Sequence, residues 1–320
     1  VYDAALAVLK PTPTKSHYVF STCDVRRVVQ GTMLARLKQL PDGDTSTPGK
    51  IARMWVHEVT RVFVDRIVDP TDLTTIAQAI AATTKKHFKT SLSTLMDNAM
   101  QEDEALLKDK KEGDDNSNNN SNNKGTRSEV TLNPVELMQS NVWSTFRSVA
   151  SKNQCYDEMP NVLFRTEAAK AQLKDYNAVS ETPMHLILFD FAISHLARIV
   201  RVLLMPGGHG LLVGMGGSGR QSLTKLSAHV AGTTLVQFEI SSGYGRNEWK
   251  EDLRNMLITC GTTQEAEDGG ATTFLLTDTQ IIDDLFIADV NSLLSSGTVP
   301  MLFSPAEQDM VSEKMRPIAA

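Results

Sequence analysis

His209-Gly210-Leu211-Leu212-Val213-Gly214-Met215-Gly216-Gly217-Ser218-Gly219-Arg220-Gln221-Ser222 is an apolar run, a glycine-rich turn and the start of a stretch with Leu223, Leu226 and Val230 at helical spacing. That order predicts a short buried strand, a phosphate-binding loop and a helix. Glycines suit such a loop because its backbone N–H groups must converge on one small cavity, and Gly takes the required angles without strain. The helix N-terminus behind the loop adds partial positive charge. Glycines alone are equally compatible with a plain turn, so the surroundings decide.

Measured against GxxxxGK[ST], Gly214 and Gly219 fit the fixed glycines, Arg220 stands at the lysine and Gln221 at the hydroxyl residue. Arg220 keeps a cation for phosphates, although its planar fork differs from an ammonium. Gln221 offers only an amide oxygen to Mg²⁺, and the hydroxyl of Ser222 comes one residue late. Gly214, Met215, Gly216, Gly217, Ser218, Gly219, Arg220, Gln221 and Ser222 are therefore the expected contacts for ATP or ADP, with Ser222 toward Mg²⁺.

Downstream, Thr234 to Ile240 reads as a second strand and Trp249, Leu253, Met256 and Leu257 as a helix face. Thr273 to Leu276 reads as a third strand, and Phe286, Val290, Leu293 and Leu294 as another helix face. Alternating units of this kind imply a parallel sheet with phosphate at the strand ends. The third strand runs into Thr277-Asp278, where a P-loop protein carries its Mg²⁺-holding acid. Asp278 can support the metal or activate water, or be an ordinary surface acid; with one carboxylate, one of the two tasks is uncovered.

Upstream, Phe189, Ile193, Leu196, Val200 and Leu203 form one helical stripe that stops before Pro206-Gly207-Gly208. Residues 1–105 show helical spacing in Val25, Val28 and Val29 and in Trp55, Val59, Val62, Phe63 and Ile67, with Pro11, Pro13, Pro41 and Pro48 in loops. Residues 106–128, with the Asn/Ser run 116–123, have nothing to bury and are expected to be a disordered insert, tolerated or binding. Residues 129–205 read as connecting helices and 206–320 as the P-loop α/β core. The expected fold is an α/β P-loop NTPase, a parallel sheet flanked by helices, behind a helical subdomain.

A length of 320 residues fits about two domains, and 41% hydrophobic with 22% charged residues excludes wholesale disorder. Thirty-two basic against 38 acidic residues give −6, with no basic stripe for a nucleic-acid backbone. Cys23, Cys155 and Cys260 lack metal-site spacing and read as core thiols. The apolar stretch Met184 to Met205 contains Asp190, His195, Arg198 and Arg201, which argues against a membrane span. His57, His87, His185 and His195 are isolated residues, packed or solvated, and make no catalytic triad. Val1 and the terminal Ala-Ala are read as fragment boundaries.

Several blocks resemble the dynein heavy chains, most closely the axonemal type. Pro11-Thr12-Pro13-Thr14-Lys15-Ser16-His17-Tyr18-Val19-Phe20 with Asp24, Arg27 and Val28-Val29-Gln30-Gly31, and then Trp55-Val56-His57-Glu58-Val59, resemble the lid of the third AAA+ module. Leu211 to Leu223 resembles the P-loop of the fourth module, whose axonemal versions likewise carry Gly-Arg-Gln-Ser. Tyr244-Gly245 with Glu248 to Leu253, Phe274 to Ile281 and Asn291 to Phe303 fit the same module.

The resemblance implies a middle slice of an ATP-driven microtubule motor ring with coiled coil in the parent, working in the cytoskeleton of a ciliary or flagellar axoneme. Its implied partners are neighbouring AAA+ modules, dynein intermediate and light chains, and microtubules. Nucleic acid and membrane are not among them. Cys23 stands where relatives show Arg, and Arg27 fits the next family arginine of the lid. Thr277 falls at the metal-holding position and Asp278 at the water-activating one, which implies nucleotide binding with slow or absent turnover. The alternative is a structural ring segment whose loop binds nothing and which transmits strain. An unrelated small kinase would need a complete lysine loop and a substrate lid, and neither is in the sequence.

Overall fold

The computed structural model describes residues 1–34, 47–99, 133–146, 156–159, 161–262 and 271–319. The expected insert at 106–128 and Cys155 lie outside them. Two compact units form, residues 1–175 with 187–201 and residues 176–186 with 202–320. The residues read as connecting, 129–205, are thus shared between the two units.

The first unit is helical: α1 (Tyr2–Val8), α2 (Thr22–Thr32), α3 (Thr47–Val59), α4 (Pro70–Phe88), α5 (92–99), α6 (Pro134–Ser140), α7 (Val162–Val179, its last turn in the second unit) and α8 (Asp190–Leu204, anchored here through residue 201). Ser21 and Asp24 form a reciprocal capping box that starts α2, and the Asp69 carboxylate accepts the Thr71 N–H (2.8 Å) ahead of Pro70 in α4. α3 continues into a π-helical turn, Thr60–Val64, where the Asp65 N–H reaches the Thr60 carbonyl at 3.0 Å. The wider turn swings Val62, Phe63 and Val64 into a core with Tyr18, Val56, Ile76 and Ile80, and Phe63 stacks on Phe20. Two-residue strands β1 (Trp143–Ser144) and β2 (Asp157–Glu158) pair antiparallel, Trp143 opposite Glu158.

The second unit holds α9 (Arg220–Ala231), β3 (Thr234–Val236), α10 (Arg246–Thr262), β4 (Thr272–Phe274), a 3₁₀ turn (Asp278–Gln280), α11 (Asp284–Ser296) and α12 (Pro305–Ala319). β3 and β4 are parallel, Leu235 opposite Thr273, with α10 as their crossover. Trp249 and Phe286 stack at 4.3 Å inside a core of Phe238, Leu253, Val299 and Leu302, so the predicted faces of α10 and α11 point inward, except that Leu294 is exposed.

Three expectations are corrected. Residues 209–213 form no strand, and Leu211 and Val213 are 89% and 84% exposed. A strand needs a hydrogen-bonded neighbour, and none reaches this run among the described residues. Cys23 is exposed rather than a core thiol, because it lies in the first turn of α2 on the face away from Asp24 and Val28. Cys260 is half-buried. In α2 only Val28 of the three valines is buried, while Val25 and Val29 face outward.

Candidate functional site

Residues 214–219 form a loop that runs straight into α9, whose first residues are Arg220, Gln221 and Ser222. The Ser218 N–H turns back to the Met215 carbonyl (3.4 Å), and the Gly219 carbonyl accepts the first helical bond from Leu223 (2.8 Å). Gly217 and Gly219 sit at φ +77° and +75°, angles that side chains take only with strain. A Cβ on Gly216, Gly217 or Gly219 would meet nothing within 4 Å, so this face of the loop is open to a ligand. Arg220, the first residue of α9, folds back over the loop: its guanidinium donates to the carbonyls of Leu212 (3.3 Å) and Met215 (3.1 Å). Gln221 is exposed, and Ser222 half-buried.

Asp278 is exposed and starts the 3₁₀ turn after β4. Among the described residues its carboxylate makes no hydrogen bond or ion pair, and none joins it to residues 214–222. Thr277 is buried, and its N–H and hydroxyl both donate to the Gln280 side-chain oxygen (2.7 and 2.9 Å). The Gln280 amide then donates to the Phe238 carbonyl, tying the end of β4 to the segment after β3. Gln280 was given no role by sequence reasoning; its place three residues after Thr277 is the capping spacing that could have revealed it.

Arg27 is mostly exposed and donates to the Asp24 carboxylate at 3.1 Å, which Arg66 also reaches at 2.9 Å. Burial alone would raise the Asp24 carboxyl, but the Ser21 N–H and the Arg66 and Arg27 charges outweigh it and hold the group below its ordinary range.

A buried polar network in the first unit escaped the sequence reading altogether. Glu58 accepts from Arg201 Nε at 2.9 Å and from the Tyr156 hydroxyl at 3.2 Å. His57 Nδ1 donates to the Asn141 carbonyl (2.8 Å), which leaves Nε2 an acceptor that shares the single Tyr156 hydroxyl proton (3.0 Å) with Glu58. Arg53 Nε donates to both Glu158 oxygens at 2.9 Å. Burial, and then the charge of Arg61, keep the His57 imidazole neutral, well below its ordinary pKa. Burial pushes the Glu158 carboxyl up to about 7 despite Arg53. These partners lie 84 to 143 positions apart in the chain, beyond any periodicity.

The open loop face and the Arg220 cation fit the phosphates of a nucleotide. For Mg²⁺ the donors are the Ser222 hydroxyl and the single Asp278 carboxylate, since Thr277 carries no carboxyl; among the described residues no three His, Cys, Asp or Glu side chains cluster as metal ligands.

A helical subdomain ahead of a phosphate loop, a helix and a parallel βαβ unit defines an α/β P-loop NTPase of the AAA+ class preceded by an AAA+ lid. Residues 2–98 match the family model described as "AAA+ lid domain", and residues 184–320 the one described as "P-loop containing dynein motor region D4". The chain is 35% identical over 324 residues to dynein axonemal heavy chain 3 of Mus musculus, covering 100% of this chain and 7% of that protein. It is 32% identical to dynein axonemal heavy chain 1 of Homo sapiens (99% of this chain, 6% of that one) and 32% to human dynein axonemal heavy chain 2 (96% and 6%). The chain belongs to the dynein heavy chain family. It spans about 7% of the length of the relatives it matches best among these.

Proposed function

We propose that this chain supplies a regulatory nucleotide site in the ATP-driven ring of an axonemal dynein, with residues 1–105 as the lid of the third AAA+ module and 206–320 as the start of the fourth. The supporting observation is the loop Gly214–Ser222, which opens α9 with Gly217 and Gly219 in the left-handed region and a cation at the first helical position. In this reading the loop amides and Arg220 hold the phosphates of ATP or ADP, and Ser222 and Asp278 are the residues that would hold Mg²⁺. Mg²⁺ neutralises charge on the phosphates. Arg220 exchanges its bonds to the Leu212 and Met215 carbonyls for the ligand. Turnover is slow or absent, because Thr277 spends its hydroxyl on Gln280 and brings no second carboxylate. Arg27 faces solvent as the remaining arginine of the lid, half-engaged by Asp24. Neighbouring modules, intermediate and light chains, and the microtubules of a cilium or flagellum are the partners of the parent motor.

The structural alternative is a loop that binds nothing, and the inward fold of Arg220 onto its own carbonyls is the observation in its favour. Titration of the chain with Mg-ATP and Mg-ADP separates the two. The regulatory reading expects binding that Arg220→Ala weakens at least tenfold and Asp278→Ala weakens only when Mg²⁺ is present, with negligible hydrolysis throughout. No binding by the unaltered chain, or in its parent heavy chain, leaves the structural segment.

A further inference from the structure

The Asp278 carboxylate has no partner of its own among the described residues, so only the backbone beneath it fixes where it is presented. A group of this kind is placed as well as its supports are placed. The backbone there is a single 3₁₀ turn, Asp278–Gln280. It is closed by the Gln280 N–H on the Thr277 carbonyl (3.0 Å) and by the Ile281 N–H on the Asp278 carbonyl (3.2 Å). One such turn, with its poor hydrogen-bond geometry, is weak support.

The stronger support is the Gln280 side chain, on a residue only 6% exposed. Its Oε1 accepts from the Thr277 N–H (2.7 Å) and the Thr277 hydroxyl (2.9 Å), and its Nε2 donates to the Phe238 carbonyl. The Thr279 hydroxyl lies 3.0 Å from that of Thr277 and is the donor there, because the Thr277 proton goes to Gln280. Both neighbours of Asp278 therefore hang on one amide. The β3–β4 ladder ends with the Leu275 N–H on the Val236 carbonyl (2.9 Å), and the Gln280 bond to Phe238 carries the tie past that end. Three of the four hydrogen bonds open to a Gln side chain are thus made in a buried place, where each is costly to lose. The box that starts α12 is the ordinary case: the Glu307 carboxylate accepts from the Ser304 N–H (2.7 Å) and hydroxyl (2.8 Å), within its own turn.

We infer that Gln280 is a positioning residue of the phosphate site: by holding Thr277 and Thr279 against the segment after β3, it fixes where the Asp278 carboxylate is presented. The inference rests on the reading of Asp278 as an acid that would hold Mg²⁺. Gln280 itself touches no ligand and acts through Asp278.

The test measures ADP affinity with and without Mg²⁺ in the intact chain, beside Gln280→Leu, Asp278→Ala and the double variant. Gln280→Leu is expected to leave the Mg²⁺-free affinity within about twofold and to shrink the gain brought by Mg²⁺ about tenfold, the low end for a residue that orients a metal-side carboxylate. The double variant is expected to bind no more weakly than Asp278→Ala, since both lesions act through one carboxylate. A merely structural lesion lowers affinity alike with and without Mg²⁺ and adds to Asp278→Ala, and either result overturns the inference. Gln280→Met, which fills the space with a flexible side chain, is carried in parallel in case Gln280→Leu does not fold. In the unaltered chain without ligand, amide exchange is expected to show the Thr277 N–H protected; fast exchange there overturns the inference whatever the variants do. Absence of ADP binding or of a Mg²⁺ gain in the unaltered chain, or a full gain in Asp278→Ala, removes the reading of Asp278 and the inference with it. A full gain in Gln280→Leu removes the inference alone.

Discussion

The lid unit and the phosphate loop handle polar groups in opposite ways. In the first unit Glu58, His57, Tyr156, Arg53 and Glu158 are all nearly inaccessible and bonded to partners far away in the chain. In the second, residues 211–218 lie open, and the one strong cation turns to carbonyls of its own loop. Low-dielectric burial makes the first arrangement costly to break and therefore fixed. An exposed glycine-rich loop has little to lose by rearranging around a ligand.

The sharpest way to break that contrast is Glu58→Ala. It strands Arg201 without its carboxylate, at a cost of about 3–5 kcal/mol in denaturant unfolding. Gly31→Ala attacks the same point from α2, because its Cβ would stand 1.7 Å from Glu58 Oε2. Overpacking of this kind costs about 1–3 kcal/mol. On the loop, Gly217→Ala places a side chain at φ +77° with open space around it, so about 1–2 kcal/mol of backbone strain is the whole expected cost. Near-equal unfolding midpoints for Glu58→Ala and Gly217→Ala would erase the distinction between the two regions.

Acidity sharpens it further, with opposite signs inside the lid unit. Folded His57 stays neutral below its ordinary value of 6.5, so its contribution is present above pH 6.5 and is lost on acidification. Glu158, raised from 4.5 to about 7, contributes stability at low pH that disappears as pH rises through that window. Between pH 5 and 6.5 the two oppose each other. Glu158→Gln is expected to leave a stability that climbs with pH there, and His57→Gln one that falls; parallel slopes would refute the assignment. The smallest effect belongs to Arg246→Ala, whose exposed pair with Asp283 at 2.7 Å is screened by water, so the unfolding midpoint should not move measurably.

The local pattern was legible wherever chemistry and chain proximity coincide. The helix after the glycine loop, the α10 face of Trp249, Leu253 and Met256, and the parallel pairing of β3 with β4 follow from spacing alone. Residues 209–213 misled, because an apolar run specifies a strand only if neighbours complete the ladder. The stretch Val130 to Tyr176, weakly patterned in sequence, supplies Asn141, Trp143, Tyr156 and Glu158 to the buried network. Two-residue strands and contacts across 84 to 143 positions leave no periodic trace. The glycine turn ahead of α9 was legible, whereas the capture of Thr277 by Gln280 and the inward turn of Arg220 needed coordinates.

The most direct test of the central claim is amide hydrogen exchange of the chain with and without Mg-ATP. A nucleotide site at Gly214–Ser222 predicts new protection confined to that loop and the first turn of α9, absent in Arg220→Ala. Unchanged exchange at residues 214–222 at saturating Mg-ATP, or protection appearing only elsewhere, would contradict it.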